Sequence, residues 1–277
     1  MLISKLFAIG RRIVPSVFKF KLPTLYFDII NLMNYGTTDM FSSVQLETIT
    51  TCNRKCWYCP NSKYKKPYAI MPTSMYEKVI DQLQSINYKG IFSPHFYGEP
   101  LLDKRLPDLI SYAREKLPKS LIRVYTNGDF FTEELFMKLI NKGVDEFFIT
   151  DHDASLTKDG KLVEKETFIS KFRNGLEKKF QDKIILYKLD NKTLNNRAGL
   201  VEVKAKKKER CDIRAVIIDH KGNVLLCCQD YFTKHSFGNI NDIHVKEIWD
   251  SKNFKSVRQK LRRGIFEFDI CKKCLQN

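Results

Sequence analysis

Residues 52–59 read CNRKCWYC and place three thiols, Cys52, Cys56 and Cys59, in one short stretch. They follow an apolar, β-rich run that ends at Thr51, which predicts a loop at the end of a buried strand. Three thiolates on one loop can bind three irons of a single cluster and leave its fourth iron without a ligand from this motif. An open coordination position usually marks a reactive metal site, whereas a closed site is structural or carries electrons.

Zinc is the alternative metal that these thiols could bind. A zinc site usually takes a fourth Cys or His close by, often from paired CxxC motifs. The nearest histidine is His95, more than thirty residues farther along. A disulfide framework is disfavoured too, because the chain is long enough to form its own core and has no clear secretory signal.

The spacing CxxxCxΦC, with the aromatic Tyr58 before the third cysteine, resembles the signature of the radical S-adenosylmethionine (SAM) enzymes. The resemblance implies that Cys52, Cys56 and Cys59 hold a [4Fe–4S] cluster. It implies that SAM binds the open iron through its amino and carboxylate groups, beside Tyr58. Reductive cleavage of SAM would give a 5′-deoxyadenosyl radical, which takes a hydrogen atom from the substrate.

Two later motifs strengthen this resemblance. Gly98, Glu99 and Pro100 end the second predicted strand, where the family carries a GGEP motif that binds the SAM amino group. This chain departs from the family pattern, because Tyr97 replaces the first glycine. Thr126 and Asn127 belong to a TNG motif after the third predicted strand, which in relatives lies near the SAM ribose and carboxylate. A simple turn is the alternative at both places.

Three further residues are candidates for contact with the substrate. Asp151 and His152 follow the fourth predicted strand, where they could meet SAM or the substrate, or cap a helix. Arg197 lies in NNRAG, residues 195–199, which is similar to a stretch in relatives that act on sugars, cyclitols or peptides. A guanidinium there could clamp an anion, hold a hydroxyl or lie in a solvated turn. We interpret His95 as a packed histidine rather than a base.

Strand-like and helical patterns alternate through the middle of the chain. The strands are predicted at 43–50, 91–97, 121–126, 144–150, 183–189 and 199–204. One helix is predicted to start at a capping box formed by Ser74 and Glu77, a second to span 104–117, and a third to run from Thr132 to Gly143. Alternation predicts an α/β fold with a parallel sheet and helical crossovers.

Six such units match the partial (β/α)6 TIM-like barrel of the radical SAM family. We therefore expect an N-terminal extension over residues 1–42 and the radical SAM core over 43–204. Functional residues should lie at the C-terminal ends of the strands.

Residues 205–277 differ in character and carry four more candidate ligands. A hairpin is predicted from Ala215–Asp219 and Asn223–Cys228 around Gly222, followed by a helix over 245–262. Cys211, Cys227, Cys271 and Cys274 resemble the SPASM/twitch extension of radical SAM enzymes, in its short form. That resemblance implies a small hairpin-plus-helix domain with one auxiliary [4Fe–4S] cluster that accepts an electron.

Two questions stay open in this segment. Zinc is the alternative metal, because four thiolates suit either. Cys228 is left over, and is either a small packed residue or a replacement for Cys227.

The 277-residue chain carries a formal charge of +16, from 48 basic and 32 acidic residues. Such an excess could attract nucleic acid, a membrane or an acidic partner. The basic residues are dispersed, and no nucleic-acid motif accompanies the densest run, Lys204–Arg214. We expect no nucleic-acid partner, and either a solvated surface or docking of an acidic electron donor of the flavodoxin or ferredoxin type.

Eight cysteines without an export signal fit a cytoplasmic protein. The N-terminal residues Met1–Phe20 are basic and apolar, but Arg11 and Arg12 interrupt a stretch already too short for a signal peptide or a membrane span. For this N-terminal segment we favour packing on the catalytic domain over peripheral contact with a membrane.

The chain is similar in architecture to the twitch-type aminocyclitol dehydrogenases, and this resemblance implies oxidation of a hydroxylated small molecule, such as a sugar or an aminocyclitol. A peptide-modifying enzyme is the first alternative, although residues 1–42 are too few for the leader-binding domain of many such relatives. An alternative of another class is a zinc-binding interaction protein.

Overall fold

A computed structural model describes residues 18–153, 157, 161, 165–189, 194–203 and 209–275. The chain forms two compact units, residues 1–42 and 43–277. The described part of the first unit contains helix α1 (Phe18–Tyr35), whose Asn31 amide donates to the carbonyl of Met40 at 2.6 Å. Leu25, Leu32 and Met33 of α1 are exposed. Residues 1–17 of the N-terminal extension and residues 204–208 of the basic run Lys204–Arg214 lie outside the described residues.

The second unit is built on one eight-stranded sheet in the order β5-β4-β3-β2-β1-β6-β7-β8. Strands β1 to β5 pair in parallel, as does β6 with β1, and the last two pairs are antiparallel. The α/β prediction with a parallel sheet is confirmed. The strands are β1 (Ser43–Leu46), β2 (Ile91–Ser93), β3 (Leu121–Thr126), β4 (Glu146–Thr150), β5 (Ile184–Tyr187), β6 (Ala215–Ile218), β7 (Asn223–Leu225) and β8 (Ser236–Asn239).

Helices connect the parallel strands. The parallel order forces each connection to cross over the sheet, so the C-terminal ends of β1 to β5 share one edge. The helices are α2 (Thr73–Ser85), α3 (Leu106–Lys116), α4 (Glu133–Lys142), α5 (Phe168–Gly175), α6 (Lys178–Gln181), α7 (Val245–Asp250), α8 (Lys252–Arg262) and α9 (Asp269–Leu275). None of the described helices combines the length and the apolarity that crossing a bilayer requires.

The sixth predicted strand, 199–204, is wrong over its described residues. Residues 199–203 form a turn and a bend, and β6 takes the place beside β1. The cause is local, because Arg197, Ala198 and Gly199 have successive φ values of 48°, 56° and 81°. Three residues in the left-handed region curl the chain and cannot lead into an extended strand.

Two predicted helix boundaries also differ. Helix α2 starts at Thr73 with Pro72 as its N-cap, so the capping box of Ser74 and Glu77 does not form. The helix predicted over 245–262 is split into α7 and α8 by Ser251, whose extended backbone ends one helix while its hydroxyl accepts from the amide of Phe254 in the next. A serine is a favourable N-cap, which explains the restart.

Other local predictions are confirmed. The Thr132 hydroxyl caps α4 by accepting from the amide of Leu135, and Gly143 ends that helix with a φ of 114°. The hairpin of β6 and β7 turns at Gly222, which has a φ of 85°. These positions follow rules that depend on a few neighbouring residues only.

Candidate active site

The three-cysteine loop lies at the C-terminal end of β1. β1 pairs with β2 on one side and β6 on the other, which fixes where the chain leaves the sheet. Within the loop the amide of Cys59 donates to the carbonyl of Cys56 at 2.8 Å, and a short 3₁₀ helix, Pro60–Ser62, follows. Cys52, Cys56 and Cys59 are free thiols, neither fully buried nor fully exposed.

The loop is chemically suited to a cluster. Burial raises the pKa of Cys52 to about 11 and also raises the pKa values of Cys56 and Cys59, so bound iron must displace their protons. In the described part of the chain, no three His, Cys, Asp or Glu side chains converge on the position of one metal ion. A single zinc ion needs such convergence, whereas an iron–sulfur cluster binds each thiolate at a different iron. The donor set therefore fits a [4Fe–4S] cluster.

A polar clamp holds this loop against the segment after β3. Arg54 donates to both carboxylate oxygens of Asp129, at 2.7 and 2.5 Å, and Asn53 donates to the same carboxylate at 2.6 Å. The Asn127 amide in turn donates to the side-chain oxygen of Asn53 at 2.8 Å. Bidentate arginine–carboxylate pairs fix geometry as well as adding energy, so the clamp defines the position of the loop relative to Asn127.

Glu99 is the buried anchor of the neighbouring loop after β2. Its carboxylate accepts from the hydroxyl of Thr126 at 2.6 Å, the amide of Asn127 at 2.9 Å and the amide of Leu101 at 3.1 Å. Burial raises the pKa of Glu99, although these donors act against the shift. The structure thus brings the GEP and TNG motifs together. Oε1 accepts from Thr126 and Leu101, and Oε2, which accepts from Asn127 only, retains further acceptor capacity.

Gly98 is required by close backbone approach. A Cβ built at Gly98 would lie 1.9 Å from the carbonyl oxygen of Ile49, in the segment that leads from β1 into the cysteine loop. Backbone atoms cannot move aside as the end of a flexible side chain can.

We expect Gly98→Ala to displace the cysteine loop and to destabilise the fold by about 3 kcal/mol or more. Iron content after anaerobic reconstitution and the thermal unfolding midpoint would both measure the effect. Gly175→Ala is the matched control, because a Cβ there meets nothing within 4 Å. Wild-type iron content and stability in Gly98→Ala would show that the close approach of Gly98 to Ile49 is not required.

The residues after β4 divide between two environments. The Nδ1 atom of His152 contacts the hydroxyl of Tyr58 and lies 3.5 Å from the sulfur of Cys56, and the two rings stack. Asp151 is buried instead, where its carboxylate accepts from the Thr167 hydroxyl at 2.8 Å. His152 therefore belongs with the cysteine loop, whereas Asp151 supports the start of α5 and does not line the cavity described next.

A cavity of about 360 Å³ lies at the shared strand edge. Its lining includes the three loop cysteines, Glu99, His95, Tyr125, Arg197 and Cys228. This is where ligands bind in barrels built from parallel strands. Its size suits a compact polar molecule beside a cofactor.

Arg197 reaches the cavity from the NNRAG turn. Its Nε is buried and has no hydrogen-bond partner in the part of the chain that the structure describes. Burial acts to lower the pKa of its guanidinium, but the neighbouring Tyr97 and Cys59 raise it, and the net pKa is raised. A buried, unpaired guanidinium nitrogen is costly unless a ligand supplies an acceptor, so Arg197 is suited to hold an oxygen of a bound molecule.

The same turn is tied to the second cysteine group. The Asn196 side chain is fully buried and donates to the carbonyl of Lys273 at 2.7 Å, in helix α9 between Cys271 and Cys274. A hydrogen bond therefore connects the turn that carries Arg197 to the helix that carries Cys271 and Cys274.

The structure distinguishes the adjacent cysteines 227 and 228. Burial raises the pKa of Cys227 well above its usual value, and the neighbouring thiols of Cys228, Cys211 and Cys271 raise it further. Burial likewise raises the pKa of Cys271 to about 12. Cys228 instead lines the cavity, with its carbonyl accepting from the Tyr97 hydroxyl at 3.0 Å. The geometry supports Cys211, Cys227, Cys271 and Cys274 as the ligand set, which stays a prediction.

Sequence reasoning did not find two features of this site. His95 lines the cavity, whereas the sequence analysis interprets it as a packed histidine. Its place at the end of a predicted strand is the sequence feature that indicates a position near the site. The clamp of Arg54 and Asp129 joins residues 75 positions apart, and no local pattern indicates it.

Comparisons with known protein families match both parts of the chain. Residues 46–155 match the model of the radical SAM superfamily, and residues 211–275 match that of the SPASM iron–sulfur cluster-binding domain. The first match contains the three-cysteine loop and the GEP and TNG motifs. The second contains all four cysteines of the second group.

Individual relatives agree with the family models. The chain is 33% identical over 242 residues to an S-adenosyl-L-methionine-dependent 2-deoxy-scyllo-inosamine dehydrogenase of Niallia circulans, covering 85% of this chain and 93% of the relative. It is 32% identical to the crystal structure of BtrN in complex with AdoMet and 2-DOIA, with a TM-score of 0.75 over 85% of this chain and 93% of that one. A structure of anSMEcpe with bound AdoMet has a TM-score of 0.55 at 16% identity, over 84% of this chain and 86% of that one, and shares the fold.

Proposed function

Because this chain belongs to the radical SAM enzymes that carry a SPASM domain, we propose that it oxidises a secondary hydroxyl of a cyclitol or a related sugar to a ketone. The observation that carries the proposal is the similarity to the Niallia circulans dehydrogenase over nearly the whole length of that enzyme. The interpretation as a zinc-binding interaction protein is wrong, since both cysteine groups lie in the matched regions.

The residues that would hold the cofactors are those of the two cysteine groups and the loops beside the first. We assign Cys52, Cys56 and Cys59 to the SAM-binding [4Fe–4S] cluster and Cys211, Cys227, Cys271 and Cys274 to the auxiliary one. Tyr58, Gly98, Glu99, Pro100, Thr126 and Asn127 are the proposed SAM contacts. When bound, SAM and the two clusters would supply two things: a nucleoside radical that takes a hydrogen atom from carbon, and an acceptor for one electron.

The protein's own contribution is to position the substrate oxygen. Arg197 has only hydrogen-bond donors, and its charge favours negative charge developing on an oxygen that it holds. His152 and Tyr58 contact each other beside Cys56 and thereby fill that side of the cavity. The buried side chains of Phe96 and Tyr97 also line the cavity and help to exclude water from it.

Anaerobic incubation with SAM, a low-potential reductant and a panel of cyclitols and amino sugars tests the proposal. We expect formation of 5′-deoxyadenosine together with a ketone from at least one secondary alcohol of the panel, detected by mass spectrometry after hydrazine capture. A substrate deuterated at the reacting carbon should transfer its label to 5′-deoxyadenosine. Substrate-dependent 5′-deoxyadenosine with no ketone would contradict an alcohol oxidation.

We further propose a flavodoxin- or ferredoxin-type electron donor and a cytoplasmic location. The charge of +16 favours an acidic donor, since complementary charge speeds association. All eight cysteines are free thiols, which suits a reducing compartment. A peptide substrate has weaker support, because the likeness to anSMEcpe extends to the fold alone.

A further inference from the structure

Oxidation of a secondary alcohol to a ketone needs a proton acceptor in the cavity, and this inference rests on the proposed function. The carbinol carbon loses a hydrogen atom, the oxygen loses a proton, and one electron leaves as the C=O bond forms. The bound cofactors take the hydrogen atom and the electron. The protein must therefore take the proton from the hydroxyl oxygen.

Three of the charged or ionisable groups that line the cavity are unsuited to this task. Arg197 carries donors only and stays protonated. The Glu99 carboxylate already accepts three hydrogen bonds and is assigned to the cofactor. The Nδ1 atom of His152 is engaged by the Tyr58 hydroxyl and faces Cys56, a proposed iron ligand.

His95 differs from these groups, because its Nδ1 atom has no hydrogen-bond partner in the described part of the chain. It follows β2, and its ring stacks on Tyr125 with centroids 4.8 Å apart, so its orientation is fixed. Its Nδ1 is buried and has no hydrogen-bond partner among the described residues. An unpaired buried nitrogen is unusual in a folded protein and is expected where a ligand completes the bond.

The protonation state of His95 agrees with such a role. Burial, together with the positive charge of Arg197, lowers the pKa of His95 to about 4. The ring is therefore neutral near pH 7 and offers a lone pair. His95 and Arg197 line the same cavity, so both side chains face a molecule bound there.

We propose that His95 is the catalytic base that takes the hydroxyl proton while Arg197 holds the same oxygen. The hydroxyl becomes more acidic once its carbon has lost a hydrogen atom, so a weakly basic imidazole suffices. The proton passes to water when the ketone leaves, which restores neutral His95. Without this acceptor, hydrogen-atom transfer remains reversible and SAM cleavage is uncoupled from ketone formation.

His95→Gln and His95→Ala test the proposal on the reconstituted full-length enzyme. We expect ketone formation to fall roughly 10²–10⁴-fold in both, the range for loss of a general base. Label transfer from the deuterated substrate to 5′-deoxyadenosine should persist, and iron content and the substrate Kd should stay within about threefold of wild type. His244→Ala, outside the cavity, is the control and should form ketone at the wild-type rate.

Chemical rescue separates a base from a packing residue. Added imidazole should restore ketone formation to His95→Ala about tenfold or more, whereas pyrrole, which has the same shape without a basic nitrogen, should not. Equal rescue by pyrrole, or ketone formation by His95→Gln within threefold of wild type, would overturn the role of His95 alone. A wild-type enzyme that forms no ketone from any alcohol would overturn the proposed function as well, so the two failures are distinguishable.

Discussion

Replacing Cys52, Cys56 and Cys59 together with alanine is expected to lower the iron content from about eight to about four per chain and to abolish 5′-deoxyadenosine formation. The three thiols are the whole protein ligand set of the reactive cluster, so no partial site remains. The four cysteines of the second group would keep their iron, because they lie on other elements. Iron and sulfide assays and chromatography of the nucleoside product measure both effects.

Cys228→Ala is the matched control for this experiment. Cys228 is a free thiol that lines the same cavity but is not assigned to either cluster. We expect about eight irons and near-normal nucleoside formation in this variant. Loss of about four irons from Cys228→Ala would transfer the ligand role from Cys227 to Cys228. Persistent SAM cleavage in the triple variant would contradict the assignment of the loop.

The double replacement Cys271→Ala and Cys274→Ala is expected to have the opposite pattern. It should remove about four irons, preserve 5′-deoxyadenosine formation and lower ketone formation roughly 100-fold or more. The reason is that four protein ligands close a cluster against substrate, which leaves electron acceptance as its role. Without an acceptor, the substrate cannot lose its second electron.

The control for the second experiment replaces the residue between those cysteines. Lys272→Ala removes an exposed side chain whose ion pair with Asp269 spans 3.6 Å at the surface, and such pairs contribute little. Iron content and ketone formation should both be unchanged. Full ketone formation by the double cysteine variant would show that the second group does not take part in the oxidation.

Much of the fold is predictable from the sequence, because it depends on short-range chemistry. Thr132 and Gly143 bound α4 as predicted, through a hydroxyl cap and a left-handed glycine. The first five strands lie within their predicted ranges, and the hairpin turns at Gly222. These features need only a few neighbouring residues, so they are readable without knowledge of the tertiary structure.

The remaining differences have tertiary or backbone causes. Residues 199–203 were predicted as the sixth strand from their apolar pattern, but the left-handed backbone of Arg197 to Gly199 prevents extension. β6 then takes the position beside β1, although its sequence indicated only a hairpin. Which strand completes a sheet is decided by long-range pairing, and a local pattern does not contain that information.

The candidate site is readable only in part for the same reason. The cysteine, GEP and TNG motifs are contiguous, so they can be found in the sequence and assigned to loops at strand ends. The role proposed for His95 depends instead on the lack of a hydrogen-bond partner for its Nδ1 among the described residues, and the loop clamp depends on Arg54 meeting Asp129. Contacts of this kind appear only when the loops are placed in space.

Electron paramagnetic resonance of the dithionite-reduced protein, recorded before and after addition of SAM, tests most directly the claim of one open and one closed cluster. Recorded on the wild type and on the double variant of Cys271 and Cys274, it isolates the signal of the loop cluster. We expect SAM to change the g-values of that signal in both proteins and to leave the second wild-type signal unchanged. Spectra that do not respond to SAM in either protein would contradict the account.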